Sequence, residues 1–169
     1  MTSINCSCAC WTAAPATCTT FVDVIFVLDS SGSIDSSSYT RMKEFVSLIL
    51  NNMDIESGAV RVGLLKYSTA VDASFNLNSY STRAAVLSAL RDLAYSSGQT
   101  NTHSALAFVR QQMLQPSAGD RASVPNVVVV LTDAGSTDRT ATQVKAPPPS
   151  VPIHMTPKRK HVCLRLLAS

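Results

Sequence analysis

The stretch VDVIFVLDSSGS, residues 22–33, decides the fold of this 169-residue chain. Its first seven residues are an apolar run interrupted only by Asp23, and its last five combine one acid, three serines and a glycine. A strand that is covered on both faces in a parallel sheet has such a continuous apolar run. The polar residues that follow lie where α/β sheets bind ligands, beyond the carboxyl end of a strand. The stretch therefore predicts a central strand that leads into a candidate site.

The residues after this stretch alternate between helical and strand patterns. Ser36, Ser37 and Ser38 are predicted caps of a helix of about four turns. Two strands follow, AVRVGLLKYS from Ala59 and VDASFNL from Val71, and their Thr69-Ala70 link is too short for a parallel crossover. Apolar residues at helical spacing mark two more helices: Val86, Leu90 and Leu93, then Leu106, Val109 and Met113. The run NVVVVL, residues 126–131, predicts another buried strand. This order predicts an α/β layered fold with a mainly parallel sheet.

Carboxylates and hydroxyls follow the two most apolar strands. Asp29, Ser31 and Ser33 alternate after the first strand, and Asp133 follows NVVVVL. Thr100 lies in a third hydroxyl-rich stretch, GQTNT, residues 98–102. Oxygen donors without histidine or cysteine suit Mg²⁺ or Mn²⁺, and so few carboxylates leave coordination positions open. We therefore predict a metal-binding site rather than a closed cage.

Each of these residues also has a simpler explanation. A polar turn with a helix cap accounts for Asp29, Ser31 or Ser33 taken singly. We expect Thr102 to cap the third helix, and His103 to be a residue of its first turn. The metal interpretation is preferred because Thr100 and Asp133 are expected at the same end of the sheet.

Three stretches, VDVIFVLDSSGS, GQTNTHSAL and VVVVLTD, resemble the von Willebrand factor type A domain in spacing and order. The resemblance covers about residues 22–138. It implies a doubly wound, Rossmann-like sheet with helices on both faces. It also implies a metal-ion-dependent adhesion site at Asp29, Ser31, Ser33, Thr100 and Asp133, where an acidic side chain of a partner protein completes the coordination. The sequence departs from the family pattern at His103, where a small residue is frequent, and at Ala134, where glycine is common; neither change removes a ligand.

The chain is predicted to have three parts. Residues 1–19 form a segment with four of the five cysteines, which are Cys6, Cys8, Cys10, Cys18 and Cys163. Residues 20–138 form the von Willebrand factor type A domain, expected to lack its last strands. Residues 139–169 form a proline-rich tail that is predicted to be disordered. This tail carries six Lys and Arg and no acid, whereas residues 1–138 have a net charge of −3, from eight Lys and Arg and eleven Asp and Glu.

The resemblance implies an adhesion module that binds an extracellular protein ligand, such as a matrix protein, and not an enzyme. The expected location is extracellular, with Asn5-Cys6-Ser7 as a weak glycosylation signal, although no signal peptide is visible. No stretch approaches a membrane span, and the basic stretch PKRK, residues 157–160, is assigned to chance rather than to targeting or nucleic-acid binding. Two alternatives stay open. One is a metal-dependent phosphatase with Asp29 as nucleophile, although Ser31 stands where such a site needs a second acid. The other is a truncated fragment without function.

Overall fold

The computed structural model describes residues 21–133, which form four strands and three α-helices. In chain order these are β1 (Val22–Asp29), α1 (Ser36–Leu50), β2 (Val60–Tyr67), β3 (Val71–Phe75), α2 (Arg83–Arg91), α3 (Thr102–Phe108) and β4 (Asn126–Leu131). A π-helical turn, Val109–Met113, continues α3, and a short 3₁₀ turn, Pro116–Ala118, follows it. The segment at residues 1–19, the tail at residues 139–169 and the expected loss of the last strands lie outside the described residues.

The four strands form one mixed sheet in the order β3-β2-β1-β4. Strand β1 pairs in parallel with β2 on one side, from Val22 opposite Val60 to Asp29 opposite Tyr67. On the other side it pairs in parallel with β4, from Asp23 opposite Asn126 to Leu28 opposite Leu131. Strands β2 and β3 form the antiparallel hairpin that the short link predicts. The prediction that the first apolar run is the central strand of a mainly parallel sheet is therefore confirmed.

Helices cover both faces of the sheet. Alternate side chains of β1 point to opposite faces, and because these side chains are apolar, both faces need to be covered. Val24, Phe26 and Leu28 pack with buried residues of α1 and α2 in one cluster. Ile25 and Val27 pack with buried residues of α3 and its π-helical turn in a second cluster. All five side chains of β1 in these clusters are at most 3% exposed. The predicted doubly wound arrangement is confirmed, with two cores that share one sheet.

Two predicted helix caps are wrong. The N-cap of α1 is Asp35, whose Oδ1 accepts from the backbone N–H of Ser38 and from the Ser37 hydroxyl, both at 2.7 Å. Ser37 and Ser38 thus donate to the cap residue and are not caps themselves. The carboxylate of Asp35, directly before the predicted serines, is the stronger acceptor for the free amides of the first helical turn. The N-cap of α3 is Asn101, and Thr102 is the first helical residue; its hydroxyl contacts Tyr67 instead.

The amino end of β1 is closed by an ion pair. Asp23 has no exposed surface, and the guanidinium of Arg121 lies 2.6 Å from its carboxylate. Arg121 also donates its backbone N–H to Asp23 Oδ2 at 2.9 Å, and its guanidinium donates to the carbonyls of Val22, Gly58 and Ala59. Both charges of this pair are therefore partnered, which is the condition under which a buried ion pair is tolerated.

No helix within residues 21–133 has both the length and the apolar character that crossing a membrane requires.

Candidate metal centre

The sheet changes its winding direction at β1. The chain leaves β1 over one face through α1 to reach β2, and it returns to the other side of β1 through α3 to form β4. The carboxyl ends of β1 and β4 therefore diverge into separate loops, which creates the crevice where such sheets bind ligands. Asp29 is the last residue of β1, and Asp133 comes two residues after the end of β4.

A chain of hydrogen bonds joins four of the five predicted site residues. The backbone N–H of Ser31 donates to Asp29 Oδ1 at 2.8 Å, which folds the loop back on the strand end. The hydroxyls of Ser31 and Ser33 are 3.1 Å apart, and Ser33 Oγ donates to Asp133 Oδ1 at 3.0 Å. Residues 100 positions apart in the chain thus meet at one place.

Asp29 is buried but has no cationic partner in the described residues. It has no exposed surface, and its two carboxylate oxygens accept from neutral groups, the Ser31 amide and the Thr132 hydroxyl at 2.6 Å. The three ion pairs within residues 21–133 involve other acids, namely Asp23, Glu56 and Asp72. A buried carboxylate whose donors are neutral has no counter-charge within residues 21–133, which makes it a candidate ligand for a hard cation.

Thr100 lies in a loop that packs against the DSSGS loop. The backbone N–H of Gly32 donates to the carbonyl of Gly98 at 2.8 Å, and Thr100 follows two residues later at 8% exposure. Gly98 has a φ of +113°, and a Cβ there would lie 2.7 Å from the Thr69 hydroxyl, so glycine is required where this loop passes Thr69. The structure therefore places the third hydroxyl-rich stretch beside the first.

Two residues near the site were not among the predicted ligands. Thr132 binds Asp29 directly, and the Tyr67 hydroxyl lies 3.0 Å from the Thr102 hydroxyl. Burial raises the pKa of Tyr67, and the charge of Asp29 raises it further. Thr132 could be found from its position before Asp133, but Tyr67 needed the strand register, in which it pairs with Asp29.

The donor set fits a small, hard divalent cation. It consists of two carboxylates and three hydroxyls, and residues 21–133 contain no cluster of three or more His, Cys, Asp or Glu. The oxygens of Ser31, Ser33 and Asp133 lie close together, with 3.1 Å between the two hydroxyls and 3.0 Å from Ser33 to Asp133, and these residues would hold such a cation. The residues present therefore fit Mg²⁺ or Mn²⁺ better than a soft metal.

The site opens onto the surface through a groove of about 370 Å³ between α1 and the end of β4. Ser33, Thr132 and Asp133 form its polar end, and Met42 and Phe45 of α1 contribute to its apolar wall. Ser33 and Asp133 are exposed, whereas Asp29 and Ser31 are buried behind them. An oxygen ligand from outside the chain can therefore approach the exposed half of the site.

The fold and the site together define a doubly wound α/β domain with a hydroxyl-rich acidic cluster at its switch point. The family model for the von Willebrand factor type A domain matches residues 23–150, and the chain belongs to this family. The predicted domain limits of 20 and 138 stay predictions, since the match reaches beyond the described residues.

Curated relatives with this domain include matrix and plasma proteins. The chain is 40% identical over 132 residues to the collagen alpha-4(VI) chain of Mus musculus, which covers 77% of this chain and 6% of the relative. It is 40% identical over 116 residues to the collagen alpha-1(XX) chain of Homo sapiens, covering 69% and 9%, respectively. Identity to von Willebrand factor of Rattus norvegicus is 30% over 118 residues, covering 69% and 27%. The chain thus spans less than a third of the length of these relatives.

Solved structures show the same fold. Proximal thread matrix protein 1 from the mussel byssus superposes with a TM-score of 0.69 at 23% identity, over 75% of this chain and 34% of that one. Another structure of that protein, described as having a zinc occupied MIDAS motif, gives a TM-score of 0.68 at the same identity. At this identity the likeness establishes the fold alone.

Proposed function

We propose that this protein is an adhesion module that binds a protein ligand through a divalent cation. Asp29, Ser31, Ser33, Thr100 and Asp133 hold Mg²⁺ or Mn²⁺, directly or through water, and an acidic side chain of the partner completes the coordination. When bound, the cation supplies a positive centre with open coordination positions. The chain's own residues fix that centre at the crevice between β1 and β4 and leave its outer side accessible through Ser33 and Asp133.

The observation that carries this proposal is the state of Asp29. Its carboxylate is fully buried and accepts from neutral groups, among them the Ser31 amide and the Thr132 hydroxyl, and none of the three ion pairs within residues 21–133 includes it. A second acid, Asp133, is joined to the same hydrogen-bond chain through Ser33. Two negative charges among neutral hydroxyls form a site that is completed by a cation.

The relatives support an extracellular setting. Two of them are collagen chains and a third is von Willebrand factor, and the mussel protein that shares the fold is named as a thread matrix protein. The zinc occupied MIDAS motif of that mussel protein supports a divalent cation at the corresponding site here. We therefore propose a matrix protein as the ligand and an extracellular location for the chain.

The geometry does not favour the enzymatic alternative. A nucleophilic carboxylate must be within reach of the substrate phosphoryl group, whereas the Asp29 side chain has no exposed surface. Ser31 stands at the position where a phosphatase of this kind needs its acid, and its hydroxyl, which contacts the Ser33 hydroxyl, is no general acid at neutral pH. We propose that the protein has no catalytic activity, and hydrolysis of p-nitrophenyl phosphate that is lost in Asp29→Asn would overturn this point.

Thermal unfolding with and without Mn²⁺ tests the metal site. At one hundred times its Kd, a cation that binds only the folded state stabilises it by about 2.7 kcal/mol. We expect Mn²⁺ or Mg²⁺ to raise the Tm by several degrees, and we expect Asp29→Asn to abolish this increase while the metal-free protein still folds. Asparagine retains an oxygen for the Ser31 amide but removes the charge that attracts the cation.

Asp35→Asn is the matched control. It removes one negative charge from the same surface, but Asp35 is an exposed helix cap and asparagine caps a helix equally well. We expect its Mn²⁺ response to equal that of the unmodified protein. A wild-type chain that folds cooperatively and shows no change in Tm with either cation contradicts the proposed site.

Solid-phase binding to immobilised matrix proteins tests the adhesion function. We expect binding to at least one collagen, laminin or fibronectin surface in Mn²⁺, loss of that binding in EDTA, and loss in Asp29→Asn. Binding that persists equally in EDTA would separate adhesion from the metal site and refute the metal-dependent mechanism.

A further inference from the structure

We propose that Lys66 is a positioning residue for the metal site, which it influences through the loop of residues 94–100. This inference rests on the proposed function and adds a residue to it. Lys66 belongs to β2 and its side chain is 8% exposed. A lysine is rarely buried to this degree unless its ammonium is fully paired, so its partners indicate what it holds in place.

The ammonium of Lys66 is bound to one loop and one strand. Lys66 Nζ donates to the carbonyl of Ala94 at 2.9 Å and to the hydroxyl of Ser96 in a short hydrogen bond. It also lies 3.7 Å from Asp72 Oδ2 in β3, whose carboxylate accepts from the Ser68 hydroxyl at 2.9 Å. Two of its three partners thus belong to the loop that precedes Thr100.

The same loop is bound to the DSSGS loop on its other side. The backbone N–H of Ser96 donates to Ser30 Oγ at 2.8 Å, and Ser30 lies between Asp29 and Ser31 with no exposed surface. The Tyr95 hydroxyl donates to the carbonyl of Ile34 at 2.7 Å. Ser96 therefore accepts from Lys66 with its side chain and donates to the site loop with its backbone. Through these two contacts, Lys66 sets the distance between the segment that carries Thr100 and the segment that carries Asp29.

The charge of Lys66 makes the inference testable, because charge and position act in opposite directions. A positive charge near the site repels a cation, so its removal alone would strengthen Mn²⁺ binding. Loss of the contacts to Ala94 and Ser96 would displace the Thr100 loop and weaken binding, as happens when the groups that orient metal ligands are removed. The sign of the change in affinity thus shows which contribution dominates.

Calorimetric titration of the full chain with Mn²⁺ tests the inference. Lys66→Met retains most of the side-chain volume and removes the charge and its hydrogen bonds, and we expect it to raise the Kd about tenfold. Mn²⁺ is preferred to zinc as the probe because cysteine thiolates bind the softer metal.

Lys43→Met is the matched control. Lys43 Nζ also donates to two backbone carbonyls, those of Arg91 at 3.0 Å and Leu93 at 2.9 Å, but these acceptors precede the loop. We expect its Kd for Mn²⁺ to be unchanged.

Ser96→Ala is the second test variant, because it removes the acceptor of Lys66 at an exposed residue and is expected to fold even where Lys66→Met does not. We expect it to raise the Kd several-fold, by less than Lys66→Met.

Hydrogen exchange in the metal-free state gives an independent readout. We expect faster exchange of the Ser96 and Gly98 amides in both test variants and no change there in Lys43→Met.

An unchanged or lower Kd in Lys66→Met overturns the positioning role, and so does an unchanged Kd in Ser96→Ala. Equal loss of affinity in Lys43→Met overturns it too, since general destabilisation then explains the effect. A wild-type chain that binds no Mn²⁺ overturns the proposed function as well, which distinguishes the two failures.

Discussion

The two ends of β1 each have an aspartate with no exposed surface, yet the surroundings of the two side chains differ. Asp23, at the amino end, contacts the guanidinium of Arg121 at 2.6 Å. Asp29, six residues further along the same face, contacts an amide and a hydroxyl. Within residues 21–133, the same residue type at the same depth has a cationic partner at one end and neutral donors at the other.

This difference separates a charge with a structural partner from the charge on which the proposed metal site depends. At the amino end, the ion pair and the carbonyls around Arg121 satisfy one another, so the cluster connects β1 to the segment before β4 and needs nothing from outside. At the carboxyl end, the hydroxyls hold the carboxylates in place without neutralising them. A site for an external cation requires both fixed oxygens and missing charge, and only the carboxyl end has both.

The largest expected effect on stability is at the amino end of β1, where Asp23 is paired with Arg121. Arg121→Met leaves the Asp23 carboxylate buried without a cation, and removal of one partner of a buried pair costs about 3–5 kcal/mol. We expect this loss in the free energy of unfolding from urea titration, with no change in the affinity of the surviving folded protein for Mn²⁺. Arg61→Met is the control, because Arg61 makes a single hydrogen bond to the carbonyl of Gly119 in the same region. If both variants lose the same free energy of unfolding, the ion pair is not what stabilises the amino end of β1.

A smaller effect on stability is expected at the carboxyl end of β1, beside Asp29. Thr132→Val preserves the shape of the side chain but removes the hydroxyl that donates to Asp29 Oδ2 at 2.6 Å. Because hydrogen bonds to charged groups contribute about 1.5–3 kcal/mol, we expect a loss of that size without metal. Saturating Mn²⁺ should reduce the loss, since the cation then stabilises the same carboxylate.

Thr40→Val provides the comparison for Thr132→Val. The Thr40 hydroxyl donates to a backbone carbonyl on the exposed side of α1, away from any carboxylate of the site. We expect a small effect that is equal with and without Mn²⁺. A destabilisation by Thr132→Val that is independent of Mn²⁺ would show that Thr132 supports the fold rather than the site.

The smallest expected effect is the pH dependence of stability at the start of α1, which follows the carboxyl end of β1 in the chain. The Ser37 hydroxyl, followed by the Ser38 amide, lowers the pKa of Asp35 below its usual value of 3.8. Stability from this group is therefore complete above pH 3.8 and is lost as the pH falls through the lower, folded-state pKa. In metal-free protein, we expect the Tm of wild type to fall slightly more than that of Asp35→Asn over this range. Parallel curves for the two proteins would indicate that the cap is already broken at neutral pH.

The fold could be predicted because its signals are local. The apolar runs of β1 and β4 indicated their positions in the sheet, with β4 at Asn126–Leu131 as expected, and the two-residue link required an antiparallel hairpin. The caps of α1 and α3 were predicted wrongly because several polar residues stand side by side at each helix start. Only the backbone conformation decides which of them accepts from the free amides.

The sequence alone determined the residue types of the candidate site, because DSSGS and Thr132-Asp133 follow apolar strands whose carboxyl ends must share one edge of a parallel sheet. Only the tertiary structure decided which charges are compensated. Arg121 is 98 residues from Asp23, and Lys66 is 30 residues from Ser96, so no spacing rule connects them. Burial and pairing are properties of the packed molecule, and they alone distinguish the aspartate that is paired with Arg121 at one end of β1 from the aspartate with neutral donors at the other.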